Sequence, residues 1–322
     1  MNFTIFMIFY LAFIILSIVI HELGHLFFGL LTGYRFGSFR LGPFVWFKED
    51  GKIKLTKSKS VVAGQCLMEP PTGERFPFVL YNLGGGLLNL ITALPFLVVL
   101  ISAIPDDTLR GICIAGITAN IVMVIVNLVP MSSGVPNDGM NVMMALRSED
   151  AKRGFFLMLF VNSEAAEGKR FKDFDDEIFS IKESANLKNY FVAYIVMLEA
   201  ARLYDMGEYD ESVKQCERLN LKKLPAFYRN SVNAEFLYYY TVHNPDFKKA
   251  RKFYKKRGMR SFLKLRIPQV TRLLSAYEYF VRNNKEKGML LLERAKNEIE
   301  AYPNSGYRTM EREYLQALEE MY

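Results

Sequence analysis

Histidine, cysteine and tryptophan are scarce in this chain of 322 residues, which contains three, three and one of them. Its cysteines, Cys66, Cys113 and Cys216, are far apart and form no C-x-x-C pair. Neither a disulfide framework nor a cysteine zinc site is therefore expected, and all three are predicted to be free thiols. The net charge of +7 is attributed to membrane topology, because no concentrated basic patch with motif support is recognised; no nucleic-acid partner is expected.

Charge is also missing from three long stretches of the first half. Residues 1–31 are apolar except for one polar motif, and residues 78–104 and 111–130 hold no charged side chain. Each stretch reaches the ~20 residues that a helix needs to cross a membrane. The first has no basic start and no small-residue cleavage site, so it is predicted to be retained rather than removed as a signal peptide. The predicted spans are 3–31, 78–104 and 109–130.

The basic residues set the expected topology. The loop between the first two spans carries eight Lys or Arg residues, whereas the turn between the second and third holds Asp106 and Asp107. Because basic loops stay in the cytoplasm, we expect the N-terminus outside and the C-terminal half in the cytoplasm. The protein would then be a multi-pass protein of a cell membrane, and its size and topology favour a bacterial origin. The basic residues of the first loop are Arg35, Arg40, Lys48, Lys52, Lys54, Lys57, Lys59 and Arg75.

Two of the three histidines lie in an H-E-x-x-H motif within the first apolar stretch. Positions i and i+4 of a helix share one face, so His21 and His25 can present two ring nitrogens to one metal ion. Glu22 is then placed to act as a base on water at that metal. The alternative is a pair of polar residues packed against neighbouring helices. Ionisable groups are costly at bilayer depth and are kept there mainly for function, which favours the zinc site.

A third ligand is needed, and the segment after the third apolar stretch offers a carboxylate. Pro130 and Pro136 break the helix there, and Gly139 permits a sharp turn, so Asp138 can point back towards the other helices. The alternative is an interfacial loop aspartate that faces water. The remaining histidine, His243, lies in the second half and is expected to be a loop residue rather than a ligand.

These motifs resemble the site-2 protease family of intramembrane zinc metalloproteases. That family combines H-E-x-x-H with an N-x-x-P-x-x-x-x-D-G element at the end of its third core span. Here the second element is matched by Asn127, Pro130, Asp138 and Gly139, but seven residues separate Pro130 from Asp138 where the family has four. The resemblance covers about residues 1–146 and implies zinc held by His21, His25 and Asp138.

The resemblance also implies how a substrate is held. Residues 84–89 look like the A-G-P-x-x-N element of the family's second span, which implies that Asn89 and Asn127 bind the substrate backbone; a helix-packing role for Asn89 is the alternative. Residues 36–70 contain three predicted extended pieces, 39–47, 52–56 and 64–68, around a turn at Asp50 and Gly51. In the family this region is a membrane-associated β-hairpin loop that receives an extended substrate.

The second half, from about Arg147, is charged and tyrosine-rich. Residues 147–186 are predicted to be a juxtamembrane linker, with the apolar run 154–161 along the inner membrane surface. Residues 187–322 read as repeated helix–turn–helix units, in which Ser212, Ala250 and Gly288 recur at intervals of 38. This resembles a tetratricopeptide array of about three hairpins, although a plain helical bundle is an alternative. Such a domain either recognises a protein partner or substrate, or simply caps the core.

Together these features predict an all-α membrane protein. Its first domain, 1–146, is a three-span zinc metalloprotease core with a small β-hairpin insertion, and its soluble helical repeat or bundle domain is cytoplasmic. We expect the protein to be an intramembrane zinc metalloendopeptidase. It would hydrolyse a peptide bond in or near the transmembrane segment of a membrane protein or membrane peptide. The alternative is a catalytically inactive membrane scaffold that recruits partners through the helical domain.

Overall fold

A computed structural model describes residues 3–49, 51–58, 62–72, 76–102, 105–132 and 134–322. The chain forms two compact units, each with its own set of contacts. The first unit comprises Met1–Gly42, Val62–Ser132 and Pro136–Met144. The second comprises Pro43–Val61, Ser133–Val135 and Ala145–Tyr322.

Three long helices dominate the first unit: α1 (Phe3–Leu31), α2 (Phe78–Ser102) and α3 (Asp107–Leu128). All three are long and apolar enough to cross a membrane, by length and composition. α3 starts two residues before the predicted span and ends two residues before its predicted end. Asp106 caps its start by accepting hydrogen bonds from the backbone N–H groups of Thr108 and Leu109. Its end is set by Pro130, which disfavours helical backbone in the preceding residue.

Glycines let these three helices approach closely. A Cβ atom on Gly24 of α1 would lie 2.4 Å from the carbonyl oxygen of Gly84 of α2. A Cβ on Gly86 would lie 2.6 Å from a methyl carbon of Leu128 of α3. No side chain fits at Gly24, and one at Gly86 would require the Leu128 side chain to move, so different helices are in direct contact at both places. This is the small-residue packing typical of helices in lipid.

Four strands form a small sheet in the order β3-β2-β1-β4. The predicted extended piece 39–47 is divided by a turn at Gly42, whose φ is +55°, into the end of β1 and the start of β2. β1 pairs antiparallel with β4 in the first unit, and β2 pairs antiparallel with β3 in the second, where Glu49 is opposite Lys52. The strands are β1 (Arg35–Leu41), β2 (Phe44–Glu49), β3 (Lys52–Lys57) and β4 (Gly64–Glu69).

Besides β2 and β3, the second unit is helical. The first unit ends with a short helix, α4 (Asp138–Ala145), and the helices of the second unit follow it. A π-helical turn, Tyr277–Val281, continues the helix α11 (Pro268–Ala276). The helices are α5 (Glu149–Ala166), α6 (Tyr190–Asp205), α7 (Tyr209–Glu217), α8 (Ala226–Val242), α9 (Phe247–Tyr254), α10 (Met259–Phe262), α11 (Pro268–Ala276), α12 (Lys285–Glu300) and α13 (Ser305–Glu320).

Where the sequence predicted a linker with a membrane-surface stretch, the structure has the helix α5, packed into the second unit. Phe155, Leu157, Leu159 and Val161 are 1 to 4% exposed. Phe155 packs against Phe191 of α6, with ring centroids 4.9 Å apart. The apolar run 154–161 therefore belongs to the protein core, which explains its hydrophobicity without a membrane contact.

The recurring small residues lie where paired helices touch. Ser212 of α7 is buried and donates a hydrogen bond to the carbonyl oxygen of Ala200 of α6. Ala250 of α9 is fully buried, and a Cβ on Gly288 of α12 would lie 2.7 Å from Tyr279. The last helix also meets the first of this unit, because Ser305 of α13 donates to the carbonyl oxygen of Ala166 of α5. The first and last helices of this unit are therefore in contact.

His243 caps the C-terminus of α8 inside a cage of aromatic rings. Its ring stacks on Tyr209 at 3.6 Å, and its Nε2 is 3.0 Å from the hydroxyl of Tyr204. Burial, reinforced by the positive charge of Arg272 and opposed by Asp210, lowers the pKa of His243 from 6.5 to about 4. The neutral imidazole is thus the form that the folded protein favours.

This cage predicts a loss of stability on mild acidification. Between pH 6.5 and 4 the unfolded chain binds a proton at His243 that the folded chain does not, so stability falls as the pH falls. The lowering of the His243 pKa corresponds to about 3 kcal/mol of unfolding free energy, which is present above pH 6.5 and is lost as the pH falls towards 4. In His243→Gln, which keeps an acceptor for Tyr204 but does not titrate, we expect a smaller drop in melting temperature between pH 7 and 4.5, measured by circular dichroism. Equal drops in both proteins would contradict this account.

Candidate metal centre

The H-E-x-x-H motif lies in the second half of α1. Nothing in the sequence of this helix interrupts it: it contains no proline, and apolar residues flank the motif on both sides. His21, Glu22 and His25 are buried, with 4, 7 and 6% of their surface exposed. Buried polar side chains need hydrogen-bond partners, so each of these three is expected to contact a polar group.

Asp138, the first residue of α4, reaches the same place in spite of the long loop that precedes it. The preceding residue, Asn137, ties the ends of α3 and α4 together: its Nδ2 donates to the carbonyl oxygens of Val126 and Val129, both at 2.7 Å. Its Oδ1 accepts from the backbone N–H of Met140 in α4. This clamp makes the distance between Pro130 and Asp138 along the chain unimportant for where the carboxylate lies.

Gly139 completes the placement of Asp138. A Cβ atom at Gly139 would lie 2.0 Å from the carbonyl oxygen of Leu128, so only glycine lets α4 start this close to the end of α3. The D-G pair is therefore explained by packing as well as by ligation.

His21, His25 and Asp138 form one group of ligand atoms that could hold a metal ion. Asp138 Oδ2 lies 3.1 Å from His21 Nε2 and 3.3 Å from His25 Nε2. The two Nε2 atoms are 3.1 Å apart. The three predicted ligands are thus brought together, and the alternative of a loop aspartate facing only water does not describe Asp138.

The other nitrogen of each imidazole has a hydrogen-bond acceptor. His25 Nδ1 lies 2.8 Å from the carbonyl oxygen of Tyr81, which can only accept, so Nδ1 carries a proton. His21 Nδ1 lies 3.2 Å from Asn89 Oδ1. That amide oxygen is identified because Asn89 Nδ2 faces the carbonyl oxygen of Ser17 at 3.0 Å. His21 Nδ1 is therefore a donor as well, and Nε2 is the nitrogen of each ring that would bind a metal ion.

Two ring nitrogens and a carboxylate oxygen therefore converge at 3.1 to 3.3 Å. A positive charge must lie among them, either a proton on an imidazole or a metal ion, and a metal ion would use all three atoms as ligands. Donors about 2.0–2.1 Å from a tetrahedral zinc ion lie about 3.4 Å from each other, close to the separations here. Both the spacing and the donor chemistry of His21, His25 and Asp138 fit a bound metal ion.

Glu22 is fixed beside this group by β4. Its carboxylate accepts a hydrogen bond from the backbone N–H of Cys66. A Cβ atom on Gly64 would lie 2.6 Å from Glu22 Oε1, so the strand passes directly over the carboxylate and leaves no room for a side chain. The motif's glutamate is not a ligand in this geometry and stays available for proton transfer.

Asn89 is central to the site, although in a different role from the predicted one. It is completely buried, and its Nδ2 donates to Ser17 O and, at 2.9 Å, to Asn120 Oδ1. Asn120 in turn donates to the carbonyl oxygen of Gly116. Both N–H groups of Asn89 are thus used within the protein, and its oxygen holds His21. Its contacts are those of a residue that orients a ligand.

Asn127, the other predicted substrate-binding residue, contacts its own helix: its Nδ2 donates to the carbonyl oxygen of Met123 at 3.0 Å. The asparagine of α3 that enters the site network is Asn120, seven residues earlier and so on the same helix face two turns away. That periodicity was the available signal for Asn120. The roles of Asn137 and of the Tyr81 carbonyl have no comparable signal, because they depend on tertiary contacts.

Comparison of the chain with protein-family models, with curated proteins and with solved structures gave no match. The assignment of a function therefore rests on the site itself.

The first prediction concerns Gly85, which faces both imidazoles. A Cβ atom there would lie 2.5 Å from His21 Cε1 and 2.7 Å from His25 Nε2, in the space between the ligands and α2. Gly85→Ala should therefore reduce zinc affinity by about tenfold or more, measured by competition with a chromogenic chelator. Gly134→Ala, where a Cβ meets no atom within 4 Å, is the control and should bind zinc normally. Wild-type affinity in a folded Gly85→Ala protein would contradict the geometry.

A second prediction separates Asn89 from Asn127. Asn89→Leu removes the acceptor that holds the Nδ1–H of His21, so zinc affinity should fall by about 10–100-fold, and the visible spectrum of the cobalt-substituted protein should change. Asn127→Leu removes a bond within one helix and should leave both properties unchanged. If the two variants behave alike, the orienting role of Asn89 is wrong.

Proposed function

We propose that this chain is an intramembrane zinc metalloendopeptidase, similar to the site-2 protease family. The observation that carries the proposal is the convergence of His21, His25 and Asp138 beside a buried glutamate, with both histidines and the glutamate on a helix apolar enough to cross a membrane. A buried site of two imidazoles and one carboxylate suits zinc and leaves a fourth position open, as catalytic zinc sites do.

His21, His25 and Asp138 would hold the metal. Bound there, zinc supplies a Lewis acid for the scissile carbonyl and for the attacking water. The hydrogen bonds from His21 to Asn89 and from His25 to Tyr81 fix both rings with Nε2 facing inward, so little reorganisation is needed when the metal binds.

Glu22 is the general base and then the general acid. It takes a proton from the attacking water, so that the water oxygen can bond to the carbonyl carbon of the substrate. The same carboxyl group returns the proton to the leaving amine as the peptide C–N bond breaks. The hydrogen bond from Cys66 N–H holds the carboxylate in place for both transfers.

The sheet offers a way to hold an extended substrate. β4 is an edge strand of the sheet, and it passes over Glu22 at Gly64. A transmembrane helix must unwind before its peptide bond can be cut, and pairing with a sheet edge would satisfy the backbone groups that unwinding frees. The substrate class is accordingly a membrane protein or membrane peptide, in a cell membrane with the helical unit on the cytoplasmic side.

The scaffold alternative was based on the longer spacing between Pro130 and Asp138, which put the third ligand in question. Asp138 nevertheless lies within 3.3 Å of both imidazole nitrogens. This position supports the enzyme over the scaffold, because the proposed ligands and base are all in place.

Glu22→Gln tests the proposal. The amide cannot accept a proton, so we expect hydrolysis to fall by about 10²-fold or more while zinc content and fold are retained. The full chain, reconstituted in vesicles, would be incubated with a panel of synthetic single-span peptides in ¹⁸O-labelled water. Mass spectrometry should then find ¹⁸O in the new C-terminal carboxylate of the wild-type products.

A matched control is Glu183→Gln, at an exposed loop position of the helical unit, which should cleave like the wild type. Cleavage that persists undiminished in Glu22→Gln would overturn the assigned base. A zinc-loaded wild type that cleaves no peptide of the panel, and whose Glu22→Gln variant accumulates no membrane peptide in cells, would favour the scaffold.

A further inference from the structure

Positive charge is concentrated in one segment of the helical unit, without a nucleic-acid-binding motif beside it. From residue 248 to residue 266, ten positions are Lys or Arg and none is Asp or Glu. The segment comprises most of α9, all of α10 and the connections around them. Its basic residues, the basic face below, are Lys248, Lys249, Arg251, Lys252, Lys255, Lys256, Arg257, Arg260, Lys264 and Arg266.

On α9 the charges share one side of the helix. Lys248, Arg251, Lys252 and Lys255 follow the spacing i, i+3, i+4 and i+7 and are all exposed. Like charges at this spacing weaken a helix, and no acidic side chain alternates with them. The effect reaches Lys256, whose pKa is lowered by partial burial and by the neighbouring charge of Lys252. An arrangement that opposes folding suggests a partner that neutralises it.

The second half of the basic face is held by apolar anchors. Met259 and Phe262 of α10 are buried, which leaves Arg257, Arg260 and Lys264 on the exposed side. Within the part of the chain that the structure describes, Lys249 is the single member of the basic face in an ion pair, with Asp246 at 3.6 Å. For the other nine, the described residues include no acidic side chain at ion-pair distance.

The basic face is attached to the rest of its own unit at α8. The ring of Phe262 in α10 packs 5.9 Å from that of Phe227, at the start of α8. This unit belongs to the same chain as the three candidate spans, so it stays at high effective concentration relative to a bilayer that they cross.

We propose that the basic face binds the anionic headgroups of the lipid bilayer that α1, α2 and α3 are expected to cross. The attraction is electrostatic, acts over about one Debye length, ~8–10 Å, and is strongest towards a dense array of negative charge such as an anionic bilayer surface. Anionic lipids are abundant on the cytoplasmic side, where the helical unit is expected to lie. A nucleic acid would have to be recruited from solution, whereas the bilayer is present at high effective concentration.

The test uses the full chain with one label on the basic face. Ser261 is exposed on α10, and the native cysteines are buried, so Ser261→Cys can be labelled selectively with a fluorophore. The labelled protein is placed in nanodiscs of phosphatidylcholine, with or without phosphatidylglycerol, that carry a headgroup spin-labelled quencher. We expect quenching to be several-fold stronger with phosphatidylglycerol and to fall as salt is raised.

Paired charge reversals test whether the basic face itself causes the quenching. Arg257→Glu with Arg260→Glu should reduce quenching to the level of pure phosphatidylcholine. Lys182→Glu with Lys188→Glu, at exposed positions outside the basic face, changes the net charge equally and should leave quenching unchanged. Equal quenching of the unreversed protein in the two lipids would overturn the proposal without relying on any charge-reversal variant. Quenching that is indifferent to lipid but is relieved by added RNA would also overturn it and would indicate a nucleic-acid surface.

Discussion

The arrangement of the first unit depends on the convergence of three potential metal ligands. Hydrogen bonds to Asn89 and to the Tyr81 carbonyl turn the Nε2 atoms of His21 and His25 towards the Asp138 carboxylate, at 3.1 and 3.3 Å. Such a group requires a positive charge among its atoms, which a bound metal ion would supply. The contacts around the site hold these atoms together and place Glu22 beside them.

That arrangement explains why the surrounding packing is so tight. Gly24 and Gly84 bring α1 and α2 into backbone contact, and Gly139 brings α4 against the end of α3. A side chain at any of these positions would separate the elements that carry the ligands. Asn137 then joins α3 to α4 by four hydrogen bonds, so the carboxylate of Asp138 is positioned by local structure rather than by the length of the loop.

The sequence predicts those parts of the molecule that local patterns determine. The three apolar helices follow from hydrophobic length, and the H-E-x-x-H pair follows from helical periodicity. Asp138 was proposed from the helix-breaking residues Pro130 and Pro136 and from Gly139, and the family resemblance supported it; the contacts of Asn137 that position it are tertiary and were not foreseen. The asparagine network was missed for the same reason: Asn89 reaches Asn120 across two helices. The run 154–161 was misassigned because composition alone does not distinguish a buried core helix from a membrane surface segment.

The most direct test of the central claim is X-ray absorption at the zinc edge, together with metal analysis, on the purified full chain and its Asp138→Ala variant. The account predicts about one zinc per chain, with two imidazole nitrogens and an oxygen at about 2.0–2.2 Å, and loss of that zinc in the variant. A folded wild type that binds no zinc would contradict it. So would an Asp138→Ala protein that keeps zinc with undiminished affinity, since the third acceptor would then play no part.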